Sequence, residues 1–181
     1  ALPWDEIEGI DWKSYEVAPE ALWRVAPARM KLMLDLKADD GFEHLVPLSA
    51  EAVAVLRAVR VLTGRGPLAF PGNRNARVPM SENTLSYFYN RCGYQGRHVP
   101  HGWRASFSTI MNEWAERSGS PGDRHVIDLI LAHIPEGVSG SEGAYNRAAY
   151  MDRRRELLET WGKMLLEPFP RPHKMLGWPS R

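Results

Sequence analysis

Apolar and polar positions change their period along this chain, and the change divides it. Up to residue 48 the apolar residues come in short runs, Trp23-Arg24-Val25-Ala26-Pro27 and His44-Leu45-Val46-Pro47-Leu48, separated by a charged stretch containing Asp39-Asp40-Gly41. Such runs bounded by turn residues predict strands, and a further strand near Ile10-Asp11-Trp12 completes a small antiparallel sheet. From residue 49 the period becomes helical. Ser49 is placed to cap a helix carrying Val53, Leu56, Val59 and Leu62 and ending at Gly64. A loop rich in Gly, Pro and Asn covers 64–79, after which Ser81 is placed to cap a second helix bearing Leu85, Phe88 and Cys92.

A third helix is predicted to begin near His101, with Phe107, Ile110, Met111 and Trp114 on its apolar side. Ser118-Gly119-Ser120-Pro121-Gly122 interrupts the pattern, and Asp123 is then placed to cap a helix bearing Val126, Leu129 and Ile130. The segment from Pro135 to Gly143 is a second breaker. A last helix is expected from about Ala144 to Leu166, with Met151, Leu158 and Leu165 seven apart and Trp161 between them. Beyond Pro168, Pro170-Arg171-Pro172-His173 reads as an extended, mobile arm. The fold class is mainly α with a small antiparallel sheet, α+β.

Composition narrows the class without changing this outline. A chain of 181 residues, 44% hydrophobic and 25% charged, is long enough to bury one core unaided. No apolar run approaches the ~20 residues of a membrane helix, and Ala1-Leu2-Pro3-Trp4-Asp5 has no signal-peptide pattern, so a cytoplasmic protein with no membrane partner is expected. The lone Cys92 allows no internal disulfide and no thiolate zinc cluster.

Net charge is +1, but its distribution is uneven. Residues 1–20 hold six acids against one base, whereas residues 51–104 hold eight arginines against two acids. Solvated helix faces produce arginine excess too; a face turned to a polyanion also requires it.

The stretch Val99-Pro100-His101-Gly102-Trp103-Arg104-Ala105-Ser106-Phe107-Ser108-Thr109 adds chemistry. His101 and Arg104, three apart at a helix start, project beside the free NH groups of the first turn, which already favour an anion. Imidazole and guanidinium there make a phosphate receptor, or merely a polar helix end. His98 and His101 flank Val99-Pro100 with no acid or thiol near, so no metal site is read there. No Gly-x-x-x-x-Gly-Lys-Ser/Thr loop and no Gly-x-Ser-x-Gly elbow occurs.

His101-Gly102-Trp103-Arg104 followed by Ala-Ser-Phe-Ser-Thr resembles the His-x-x-Arg box of the tyrosine recombinases, in the prophage integrase branch. Leu131-Ala132-His133 resembles the family's Leu-x-His box. Ala144-Tyr145-Asn146-Arg147-Ala148, with Tyr150, Arg153 and Arg154 after it, resembles the segment of the nucleophilic tyrosine. Arg29-Met30-Lys31, then Val46-Pro47-Leu48-Ser49, resembles the β-hairpin that carries the catalytic lysine. One such box is weak evidence; four in order over residues 23–162 are specific.

The resemblance implies a tyrosine recombinase catalytic-domain-like fold and site-specific DNA recombination, the integration and excision of a prophage. Tyr145 would attack a DNA phosphodiester, Arg104, His101 and His133 would hold the phosphate, and Lys31 would protonate the leaving 5′-oxygen. Tyr150 remains a competitor for the nucleophile and Lys37 for the acid. Arg74, Arg77, Arg97 and Arg147 are expected to contact DNA. The implied partners are double-stranded attachment sites and other integrase protomers, in a synaptic tetramer on DNA, near the bacterial nucleoid. No cofactor is implied. The family's earlier arginine has no counterpart before Trp4-Asp5-Glu6-Ile7, so residues 1–167 read as an N-terminally truncated catalytic domain, slowed by that loss, with a Pro-rich tail over 168–181. A DNA-binding relic of the same fold, or relaxation of DNA in the manner of a type IB topoisomerase, are the rival readings.

Overall fold

In the computed structural model, which describes residues 1–31, 36–38, 42–133 and 150–177, three short strands precede six α-helices. Strands β1 (Ile7–Glu8), β2 (Leu22–Val25) and β3 (His44–Pro47) form one antiparallel sheet in that order. Ile7 pairs with Trp23, and β2 pairs with β3 from Leu22↔Pro47 to Val25↔His44. The strand expected near Ile10-Asp11-Trp12 lies earlier, at Ile7–Glu8. Ile10 and Trp12 instead pack against a core of Trp4, Ile7, Leu56 and Ala69.

Helix α1 (Ala50–Thr63) follows its predicted limits. The Ser49 hydroxyl accepts from Ala52 N, and Gly64 closes the last turn on the Arg60 carbonyl. Helix α2 (Thr84–Arg91) starts later than expected, because the Ser81 hydroxyl accepts from Asn83 N while the Ser81 carbonyl takes Thr84 N. Its Leu85 and Phe88 are exposed, and no residue of α2 is buried.

The larger core lies between α3 (Gly102–Arg117), α4 (Asp123–Ile130) and α5 (Met151–Leu166). Phe107, Met111, Val126, Ile127, Leu131 and Leu157 are buried there, with Trp161 set edge-on to Phe107. Leu157, rather than the expected face of Met151, Leu158 and Leu165, is the fully buried leucine of α5, and Ile110 is exposed. At Gly162 α5 passes so close to the start of α1 that a β-carbon would lie 2.6 Å from the Ser49 hydroxyl. The expected extended arm instead contains a helical turn, α6 (Pro172–Met175), packed against α1. Pro172 stands at N1 of that turn, where its missing NH costs nothing. Among the described residues no helix is long and apolar enough to cross a membrane.

Candidate nucleic-acid interface and active site

His101 is the N-cap of α3, exposed and without a side-chain cap bond. Arg104, in the first turn, donates through Nη2 to the Leu131 carbonyl. Leu131 ends α4, so this bond fastens the His101–Arg104 turn to the Leu131-Ala132-His133 segment. Three further guanidinium donors of the other two nitrogens stay available to an anion.

Local backbone geometry shapes that second segment. Ala132 N donates to the Leu129 carbonyl and His133 N to the Asp128 carbonyl, with Ala132 in the left-handed region at φ 55°. This is a Schellman ending, with alanine at the position glycine usually holds. It folds His133 back over the helix end, where Nδ1 lies 3.2 Å from Asp128 Oδ1. Nε2 is then the ring atom left for a ligand.

The hairpin reaches the same end of α4. His44 Nε2 donates to the Ile130 carbonyl at 3.2 Å, so the base of β3 abuts the turn that holds His133. Lys31 is exposed just beyond a 3-10 turn, Pro27–Arg29, that Arg29 ties to Glu6 and to the Ala1 carbonyl. Lys37 is half-buried in a second such turn, Leu36–Ala38. No hydrogen bond among the described residues joins either lysine to His101, Arg104 or His133. The structure thus brings Arg104 to the His133 segment.

Tyr145 and Arg147 lie outside the described residues. Tyr150 is the N-cap of α5, itself left-handed at φ 61°, with its exposed ring edge-on to His125 at 5.8 Å. Two arginines then anchor the first turn of α5. Arg153 grips the buried Asp123 carboxylate with Nε and Nη2 at 2.8 and 2.6 Å, and that pairing with Asp123 and Glu156 raises its pKa. Asp123, expected as a helix cap, therefore begins α4 as an ion-pair partner, with Gly122 at the N-cap. Arg154 is buried and donates to the Leu45 carbonyl of β3, and burial lowers its pKa to about 10.

The arginine surplus of the middle divides in two. Arg57 donates to the carbonyls of Glu16 and Asp11, and Arg60 lies over the rings of Trp4 and Trp12 at 5.0 and 4.3 Å. Arg74, Arg77 and Arg97 are exposed. The first two ride a tight loop closed by Gly72 N on the Val78 carbonyl, in which the Asn75 side chain accepts from Arg77 N.

The partners of Asp128, His44 and Asp123 escaped the sequence reading because folding, rather than helical spacing, supplies them. His98 is likewise absorbed: its ring packs on Tyr89 and Trp103 and lies over Gly102, where a β-carbon would meet it at 3.0 Å. Among the described residues no three His, Cys, Asp or Glu side chains group as metal ligands.

The chain is 33% identical over 162 residues to the prophage integrase IntA of Escherichia coli (strain K12), covering 90% of this chain and 33% of that protein. It is 36% identical over 118 residues to prophage integrase IntZ of the same strain, covering 65% and 27% respectively. It is 35% identical over 127 residues to the integrase of Shigella phage Sf6, covering 68% and 30%. The chain thus spans about a third of the length of the curated relatives it matches. No family model and no solved structure matches it significantly.

Proposed function

This chain belongs to the phage integrase family, and on that premise we propose that it is the part of a site-specific recombinase that cuts and rejoins DNA. The observation that carries the reading is the bond from Arg104 to the Leu131 carbonyl, which joins two anion-suited segments into one receptor. The first NH groups of α3 are taken by the carbonyls of Val99, Pro100 and His101, so the phosphate would be held by side chains, with His101 and His133 Nε2 joining the guanidinium. A phosphodiester held there is polarised on its nonbridging oxygens, where charge grows in the transition state.

Tyr145 is the proposed nucleophile. Its phenolic oxygen forms a bond to phosphorus as the bond to the 5′-oxygen breaks, leaving a 3′-phosphotyrosine and a free 5′-hydroxyl. Lys31, or Lys37 in its place, gives the leaving oxygen its proton. Attack by another strand's 5′-hydroxyl reverses the step, so bond energy is conserved and no cofactor enters. The duplex attachment site lies against Arg74, Arg77, Arg97 and Arg147, and further protomers complete a synaptic tetramer in the bacterial cytoplasm. Residues 1–167 form the catalytic unit and 168–181 its tail.

The test is a denaturant-resistant protein–DNA adduct on nicked or supercoiled DNA. Tyr145→Phe should abolish it while leaving affinity nearly intact, and Tyr150→Phe should retain it. Loss of the adduct in Tyr150→Phe alone moves the nucleophile there. Binding with no adduct in any condition supports a non-catalytic relic, and relaxation without strand exchange supports a topoisomerase.

A further inference from the structure

Helix α2 and the chain leading to α3 carry an aromatic cluster that the proposed chemistry does not use. Tyr89 stands at its centre, 5.5 Å from His98, 6.0 Å from Phe88 and 6.3 Å from Tyr94 between ring centroids. His98 lies edge-on to Trp103 at 5.1 Å, and Trp103 Nε1 donates to the Tyr89 hydroxyl at 2.7 Å. The outer rings face solvent, with Phe88, Tyr94 and Trp103 exposed by 50%, 51% and 44%. A contiguous exposed aromatic face marks a surface that something covers.

Charge identifies the occupant. From Asn83 to Asn112 there is no Asp or Glu, while Arg91, Arg97 and Arg104 fall within the same stretch and are exposed. A second copy would set arginine against arginine. A polyanion that also offers flat apolar faces satisfies both features, and nucleobases on a phosphate chain are that ligand. In a duplex those faces are stacked on one another and out of reach.

We propose that Phe88, Tyr94 and Trp103 form a stacking platform for unpaired bases, with the phosphates of that strand along Arg91 and Arg97. The hydrogen bond from Trp103 to Tyr89 holds the ring in place before the strand arrives, which lowers the ordering cost of binding. Trp103 lies between His101 and Arg104 in the first turn of α3, so the platform adjoins the phosphate receptor. Its use rests on the strand-transfer reading, since a cut strand must leave its complement before it joins another; its existence does not.

The experiment measures anisotropy of a labelled thymidine oligomer of about 16 nucleotides, an abasic oligomer of equal length, and a duplex. Phe88→Ala and Trp103→Ala should each weaken the thymidine oligomer about tenfold and the duplex less than about twofold, while Trp103→Phe, which keeps a ring but loses the bond to Tyr89, should lose less than Trp103→Ala. The abasic strand should bind the unaltered chain about as weakly as the thymidine oligomer binds the alanine variants. Equal affinity for abasic and thymidine strands overturns the platform, as does an equal loss on strand and duplex. Loss of self-association in the alanine variants, with strand binding unchanged, overturns it in favour of a second copy. Absence of a Tyr145 adduct defeats the strand-transfer reading but leaves these affinities measurable, so the two failures are distinct.

Discussion

His133 meets Asp128 twice, its backbone NH on the Asp128 carbonyl at 3.0 Å and its ring Nδ1 on Oδ1 at 3.2 Å. The first contact belongs to the helix ending and fixes where residue 133 leaves α4. The second chooses the ring orientation and sends Nε2 outward. Backbone and side chain of one aspartate thus set both the place and the direction of the imidazole.

Both side chains are about half exposed, 55% and 45%, so their interaction contributes at most about 1 kcal/mol. Asp128→Ala should therefore slow adduct formation by up to about fivefold, the rate equivalent of that energy. Asp128→Asn, which keeps an acceptor at the same atom, should lose less. DNA affinity should hold or tighten, because a negative charge leaves the surface. Single-turnover cleavage and binding measured together check the opposite signs. A loss beyond about a hundredfold (~2.7 kcal/mol) would mean that Asp128 touches the reacting atoms.

Ala132 carries the strain of the same turn. A β-carbon in the left-handed region costs about 1–2 kcal/mol, partly offset in a glycine variant by the freer unfolded chain. Ala132→Gly should raise stability by about 0.5–1 kcal/mol and shift the urea midpoint upward at unchanged slope. Ala132→Val should lower it, since a β-branched residue tolerates that conformation least. A lower midpoint for the glycine variant would show that the Ala132 methyl contributes packing greater than its strain.

How much of this was legible in the sequence depends on whether the cause is local. Ser49 and Gly64 bound α1 as read because capping involves only neighbouring backbone. The second and third strands and the start of α3 were legible for similar reasons. Spacing showed an apolar stripe at Leu85 and Phe88, but not that it faces solvent. Asp123 has the chemistry of a cap, and only folding supplies Arg153 thirty residues later. Arg57 and Arg60 looked like their exposed neighbours until Trp4 and Trp12 were placed beneath Arg60. The tail was misread because Pro172 is both a breaker and a good first helical residue. The resemblance to the integrases supplied the roles proposed for Arg104 and His133; the contact through Leu131 needed the structure.

The Asp123–Arg153 pair should be the strongest ion pair holding α5 to α4. Asp123 is buried and Arg153 is about one-third exposed, so loss of either partner is discounted from the fully buried range. Arg153→Ala strands a buried carboxylate and should cost about 3 kcal/mol. Asp123→Ala, which leaves Arg153 its contact with Glu156, should cost about 2 kcal/mol. The double variant should cost less than the sum by about 2 kcal/mol. Chemical denaturation of all four proteins gives the cycle, and additive losses would show that the two side chains do not support each other.

Arg104 and the loop arginines separate catalysis from attraction. Arg104→Ala removes a positioned donor from the phosphate, for which about 2.7–4 kcal/mol of barrier is the expected scale. It also releases the Leu131 carbonyl, so the His133 segment loses its tie to α3. Arg104→Lys keeps a charge but cannot hold that carbonyl and fork onto a phosphate together, and should recover only part of the rate. Arg74→Ala and Arg77→Ala, at the tip of an exposed loop, should leave the rate at saturating DNA unchanged. Each should instead reduce the dependence of log affinity on log salt by about one unit. Cleavage rates at saturating DNA, with affinities across a salt series, distinguish the two kinds of arginine. If all three alanine variants alter only the salt series while cleavage proceeds unchanged, Arg104 belongs to the binding face and other groups stabilise the phosphate.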